Sequence, residues 1–262
     1  FLTAAVALSF LTNSVSFATP DEKDTINQIA LLQSLTLGHF DGSISAKNLK
    51  KLGDTGIGTF DGLDGEMIFL DGVIYRANQN CKINVVDDAV TIPFSNVTFF
   101  EKDFSLKLEN ISGKTDLESK LNELIKKHGE NNFYMVKINA NFDEILVRSE
   151  KGSKKPYTTL VKALETQKEI SKKNINGTIV GLYCPKFMSS LNSVGWHFHF
   201  ISADKNLGGH VLEMKIRSGE AEFDKTENFS MILPEDEDFQ KLDLGKDLSA
   251  DIKKAENDTV SK

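Results

Sequence analysis

Three of the five histidines in this 262-residue chain fall close together: His197, His199 and His210, in the stretch WHFHFISADKNLGGH. Neutral imidazoles are metal ligands, and three that converge leave one coordination position open, as in catalytic zinc sites. Side chains alternate faces along a strand, so His197 and His199 share one face while Phe198 and Phe200 share the other. Ala203 to Asn206 reads as a turn. With Asp204 and Lys205 at its centre, His199 stands opposite His210 and His197 opposite Leu212. Two of the rings are then cross-strand neighbours, about 5 Å apart at Cβ. A loop bulged at Gly208-Gly209 would shift this register by one. The plainer alternative is three hydrogen-bonded histidines on a sheet surface. The His-x-His spacing, with a third histidine leading the next apolar strand, favours a metal. Ligand type alone leaves zinc, iron(II) and manganese open. His39 and His128 lie in polar stretches and are read as exposed.

A three-histidine metal needs groups to handle a substrate. Glu66 follows a turn and precedes Met67-Ile68-Phe69-Leu70; if Ile68 and Leu70 share its face, it heads an inward row. Otherwise it is a strand-end glutamate facing solvent. Arg148 ends the apolar strand Ile145-Leu146-Val147 and is one of three arginines, with Arg76 and Arg217. Its planar fork matches a carboxylate bidentately. The competing reading is a surface salt bridge to Glu144 or Glu150. Thr59, in Gly58-Thr59-Phe60, offers a hydroxyl or is a turn residue. Near the C-terminus, Leu248, Ile252 and Ala255 form one apolar stripe of a short helix. Glu256 lies on or near that stripe, either at a solvated edge or aimed into a pocket.

The rest of the chain must position these groups. Ile26 to Leu37 reads as an amphipathic helix running into Gly38. Glu66–Leu70 and Val73–Arg76 read as a hairpin around Asp71-Gly72. Residues 93–100 form another strand. Thr115-x-x-Glu118 is a capping box opening a helix that ends at Gly129. Residues 132–148 read as two strands broken near Ala140-Asn141, and 157–170 as helix. Strands follow at 177–183, 196–202 and 210–216. Strands with irregularly interspersed helices point to an α+β fold of mixed or antiparallel sheets, with the metal site on a sheet face. A boundary near Gly129 to Asn132 divides the chain into 21–130 and 131–262.

Net charge is −7, with 40% hydrophobic and 26% charged residues. That composition describes an ordinary globular protein, and the acidic balance argues against nucleic acid or anionic lipid as partner. Cys81 and Cys184 make one disulfide or none. Residues 1–18 are apolar and uncharged, and Ser16-Phe17-Ala18 precedes a charged run. This reads as a secretory signal over 1–20, implying export with no lasting membrane association once it is removed; the competing readings are a membrane anchor or a buried N-terminal helix, the latter leaving the protein cytoplasmic.

The blocks GDTGIGTFDGLDGEMIFLDGVIYR (53–76), PFSNVTFF (93–100), NNFYMVKINANFDEILVRS (131–149), NGTIVGLYCP (176–185) and GWHFHFISADKNLGGHVLEM (195–214) together resemble the acetolactate decarboxylase family. The resemblance spans most of residues 30–215. It implies conversion of 2-acetolactate to acetoin and carbon dioxide, an α+β fold of two sheet-containing portions with the metal site near their junction, and a homodimer. It implies Zn2+ on His197, His199 and His210, with Glu66, Arg148, Thr59 and, from the divergent tail, Glu256 at the active site. Two departures stand out: Ser149-Glu150-Lys151 where family members tend to have a Val-Pro pair, and Trp196 where smaller aromatics are common. The rival readings are a cupin-type non-haem iron oxygenase and a metal-binding domain without catalysis.

Overall fold

A computed structural model of the chain describes residues 24–189 and 191–257; the expected signal segment lies outside them. The strands are β1 (Thr25–Ile29), β2 (Ile44–Ser45), β3 (Thr55–Thr59), β4 (Glu66–Leu70), β5 (Val73–Ala77), β6 (Ile83–Val85), β7 (Thr91–Ile92), β8 (Phe94–Thr98), β9 (Phe104–Ile111), β10 (Phe133–Ser149), β11 (Lys168–Cys184), β12 (Gly195–Ser202), β13 (Gly208–Thr226) and β14 (Asn228–Ile232). The helices are α1 (Leu32–Thr36), α2 (Ala46–Leu49), α3 (Lys114–His128), α4 (Leu160–Leu164), α5 (Glu237–Gln240) and α6 (Ser249–Asn257). The expected α+β class is what forms.

One sheet has the order β14-β1-β8-β3-β4-β5-β6 and is antiparallel except where β1 meets β14. β2 and β7 pair separately as a two-stranded sheet. A second large sheet runs β10-β11-β12-β13-β9. In it β10 also pairs with β13, so β10 to β13 close on themselves. The sheets exchange a strand each way: β9 joins the second and β14 returns to the first. Their facing surfaces bury Ile57, Ile68 and Leu70 against Met135, Val180, Leu182 and Ile201. On its far side the second sheet packs against α3 through Leu117, Leu121 and Ile125, all buried. Each such side chain contributes about 1.5–3 kcal/mol of hydrophobic stabilisation. A smaller cluster joins α1, α4 and α6 through Leu32, Leu35, Leu160, Leu164, Ile252 and Ala255.

The β4–β5 hairpin forms as expected. Asp71 and Gly72 both take positive φ, 50° and 80°, the tight turn that Asp-Gly supplies. Four expectations are corrected. Residues 26–37 are not one helix. Thr25–Ile29 pairs into a sheet, Ala30 turns the chain at φ 57°, and only Leu32–Thr36 is helical. The capping box does not cap α3, because the helix begins at Lys114 with Gly113 at its cap. There Asp116 instead accepts from the Ser112 N–H and hydroxyl at 2.9 and 3.0 Å. Residues 132–148 form one strand, and the irregularity near Asn141 is a bulge that bends β10 without ending it. After one short helical stretch, the 157–170 segment passes into β11. Cys81 and Cys184 are both free and buried.

Candidate metal centre and active site

The alternation in β12 sorts its side chains as expected. Phe198 and Phe200 enter the core shared with α3, where Phe200 meets Phe142 edge to face at 5.2 Å. Trp196 lies on the same face, stacked on Phe198, with its Nε1 donating to Asn122 at 2.9 Å. His197 and His199 face the other sheet. The turn sets the register foreseen from the sequence, with His199 opposite His210. The β12–β13 ladder ends at this pair. Leu212, expected opposite His197, is instead the extra residue of a bulge against β10. Beyond that bulge Arg148 pairs with His210. Gly209 permits the approach: at φ 152° any Cβ would lie 2.4 Å from the Arg148 carbonyl oxygen.

Two imidazoles are fixed from behind. His199 Nδ1 donates to the Met67 carbonyl at 2.7 Å, and His210 Nε2 donates to the Glu256 carbonyl at 2.9 Å. Those bonds set the tautomers and leave His199 Nε2 and His210 Nδ1 as bare lone pairs. His197 Nε2 lies 3.1 Å from the first and 3.0 Å from the second. At these separations the three nitrogens must share a proton or a metal ion. A tetrahedral zinc with ~2.0–2.1 Å bonds spaces its nitrogens about 3.3 Å apart; both separations from His197 come close to that, and all three candidate ligand atoms lie within 4.8 Å of one another, a donor set of the right kind and number for such an ion. Burial is the first cause that pushes all three imidazoles down, His197 to about 3 and the others well below the usual range. The Arg148 charge adds to this at His197 and His210, and His197 adds to it at His199. They are held in the neutral form that binds metal.

Around this trio the remaining sequence candidates come together. Glu66, at the head of β4 and opposite Thr59 on β3, is buried; its Oε2 lies 3.3 Å from His199 Nε2 and its Oε1 3.2 Å from Arg148 Nη1. Arg148 is also buried, so its bridges are not the surface contacts that were the competing reading. Its Nη2 donates to the Ala255 carbonyl at 2.9 Å, and its Nε has no partner. Glu144 takes no part: it meets Lys215 and Ser171 instead. Glu256, on α6, places Oε2 3.2 Å from His197 Nδ1. Thr59 is within the cavity, but its hydroxyl donates to Gly65 O at 2.8 Å. Toward a ligand it therefore acts as an acceptor. Burial raises the carboxyls of Glu66 and Glu256 above the usual range, and the Arg148 charge opposes the shift in both.

The cavity these groups share has a free volume of about 30 Å³, room for a water or two. Leu32, Leu35, Leu63, Phe94, Leu160 and Leu164 form its apolar wall. That wall and Glu150 are the site features not identified from the sequence. Glu150 is two residues beyond Arg148, the spacing that shares a strand face, and this was the signal available for it. Its carboxyl is buried and lies 3.6 Å from Arg148 Nη1. Of the other histidines, His39 is buried, contrary to expectation, with Nε2 3.0 Å from Asp236. His128 is exposed and stacks on Phe104.

The family model described as alpha-acetolactate decarboxylase matches residues 26–246. The alpha-acetolactate decarboxylase of Methanosarcina mazei is 37% identical over 244 residues, covering 93% of this chain and 84% of that protein. That of Brevibacillus brevis is 33% identical, covering 92% and 84%. The crystal structure of the Bacillus subtilis alpha-acetolactate decarboxylase superposes with a TM-score of 0.86 at 32% identity, over 89% of this chain and all of that one.

Proposed function

The chain belongs to the alpha-acetolactate decarboxylase family, and from that premise we propose that it is a metal-dependent carboxy-lyase, converting 2-acetolactate to acetoin and carbon dioxide with Zn2+ on His197, His199 and His210. The observation that carries this reading is the convergence of three imidazole nitrogens beside a buried Arg148 whose Nε lacks a partner. When bound, the zinc supplies a Lewis acid for the negative charge that loss of CO2 leaves on the former ketone oxygen.

The chain's own residues do the rest. Arg148 takes the substrate carboxylate on its unpartnered Nε side, and the fork holds that group out of the carbonyl plane. The apolar wall excludes water and suits the departure of a nonpolar product. The bond to the carboxyl carbon breaks, its electron pair stays on the substrate, and one proton must then reach that carbon. Glu66 and Glu256, each kept protonated more readily by burial, are the groups placed to deliver it on one face. The accepting lone pairs of Thr59 help orient the substrate hydroxyl. A β-keto acid already contains its electron sink, so this chemistry needs no organic cofactor.

The reading includes a homodimer, which the family resemblance supports, and export, which the apolar residues 1–18 support. No helix of the described residues is long and apolar enough to cross a membrane. Racemic 2-acetolactate given to zinc-loaded protein should yield acetoin, and a chelator should abolish it reversibly. No acetoin from metal-loaded protein sinks the proposal. Turnover that requires iron and oxygen points to an oxygenase instead.

A further inference from the structure

We propose that Glu150 is a positioning residue for the decarboxylation, one that sets the orientation of Arg148 and so the placing of the substrate carboxylate. This rests on the function proposed above. Glu150 is 2% exposed and lines the same cavity as the three histidines. Its carboxyl and that of Glu66 approach the same guanidinium nitrogen. Its Oε2 is 3.6 Å from Arg148 Nη1, the nitrogen that Glu66 Oε1 approaches at 3.2 Å. Nη1 donates to Glu66 Oε1 and forms an ion pair with Glu150 Oε2, an oxygen with no hydrogen-bond partner of its own, while Nη2 is tied to the Ala255 carbonyl. A planar guanidinium fixed at both terminal nitrogens cannot rotate about its long axis. Nε, the one nitrogen without a protein partner, is thereby fixed in direction.

A buried carboxyl is costly to keep unless its partners use it. Glu150 makes no ion pair with the solvent-facing lysines around it, Lys151 and Lys154; Arg148 is the cation it approaches. Replacing it by an apolar residue of smaller reach frees one side of Nη1 and deprives Glu66 of its neighbour. The guanidinium then swings toward Glu66 alone. Small misplacements of this kind cost on the order of 100-fold in rate.

The test uses full-length, zinc-loaded protein with Glu150→Val and Glu150→Gln, each in the wild-type and Arg148→Lys backgrounds. Three quantities are measured: kcat and KM for acetoin formation, bound zinc, and calorimetric affinity for 2-hydroxy-2-methylpropanoate, a hydroxy acid that cannot decarboxylate. Glu150→Val is expected to lower kcat/KM about 100-fold and to weaken the analogue, at unchanged zinc. Glu150→Gln, which keeps the shape and a hydrogen-bonding group, should recover most of the loss. In the Arg148→Lys background the Glu150 effect should largely vanish, because the fork it orients is gone. Wild-type kinetics and analogue affinity in Glu150→Val overturn the proposal. So does a loss that persists undiminished beside Arg148→Lys, or one that follows loss of zinc. If Glu150→Val does not fold, Glu150→Ala, which also removes the carboxyl, carries the same test with the same expectation. A wild-type protein that makes no acetoin refutes the function itself, whereas an active wild type with indifferent Glu150 variants refutes only this inference.

Discussion

The β10–β13 ladder buries ionisable groups at both ends, and the ends differ. At one end Arg148 pairs with His210, and the carboxyls of Glu66, Glu150 and Glu256 gather around them. At the other, Met135 pairs with Asp224, a buried carboxyl pushed up to about 8 first by burial, with Asp103, Asp24 and Glu101 adding to the shift. One Asp224 oxygen has no hydrogen-bond partner. Both ends therefore contain a carboxyl displaced from its ordinary range. Only the first brings together cation, acceptor lone pairs and an enclosed cavity. A shifted carboxyl marks burial; convergence of unlike groups on one point marks chemistry.

The contrast is most sharply tested where the effect should be largest. His199→Ala removes a ligand and should abolish bound zinc and nearly all acetoin formation, a loss of at least about 1,000-fold by metal analysis and assay. Retained zinc with retained turnover would place the metal elsewhere. Arg148→Lys keeps the charge but loses the fork. Zinc should stay while kcat/KM falls by roughly 100-fold or more, about 2.7 kcal/mol of transition-state stabilisation; near-normal kinetics would remove Arg148 from substrate binding. Glu66→Gln should likewise keep zinc, with activity reduced on the order of 10- to 100-fold. Full activity there would make Glu66 a purely structural partner of Arg148.

The far end should respond in stability alone. Asp224 has a folded pKa raised above the unfolded carboxylate value, so the folded state holds the extra proton between about pH 4 and its raised pKa of about 8. The stability tied to that proton is fully present below about pH 4 and is lost as pH rises through about 8. Asp224→Asn should therefore flatten the decline. Thermal melts should show the variant gaining on wild type by a few degrees, on the order of 1 kcal/mol, at pH 9 relative to pH 5, with kcat unchanged. An altered kcat would show that the ends of the ladder communicate.

What could be read from the sequence was what local rules decide. The histidine hairpin was legible because a short turn and strict alternation fix its register, and the β4–β5 hairpin because Asp-Gly demands one geometry. Thr25–Ile29 was misread because its buried Ile26 and Ile29 also satisfy helical spacing, and pairing with β8 and β14 decided between them. The bulge at Asn141 looked like a strand end because no local signal distinguishes a bend from a stop. His39 looked exposed because its partner cannot be read from nearby residues: the Asp236 carboxylate that its Nε2 meets lies 197 positions away. Glu66, Arg148 and Thr59 were found as isolated candidates; that all face one point follows from sheet packing, which residue spacing does not encode. Glu150 was seen only as a possible counter-charge because it sits where the strand gives way to loop.

The last helix has a consequence for the order in which this site comes into being. The Met67 carbonyl and the three rings are all translated by residue 210, but the acceptors for His210 Nε2 and Arg148 Nη2 are the carbonyls of Glu256 and Ala255. Until that segment has emerged from the ribosome and docked, one imidazole has no fixed tautomer and the guanidinium no second anchor. A nascent chain can thus hold every ligand and still lack a finished centre, and a protease that clips behind β14 returns a mature molecule to that same immature condition.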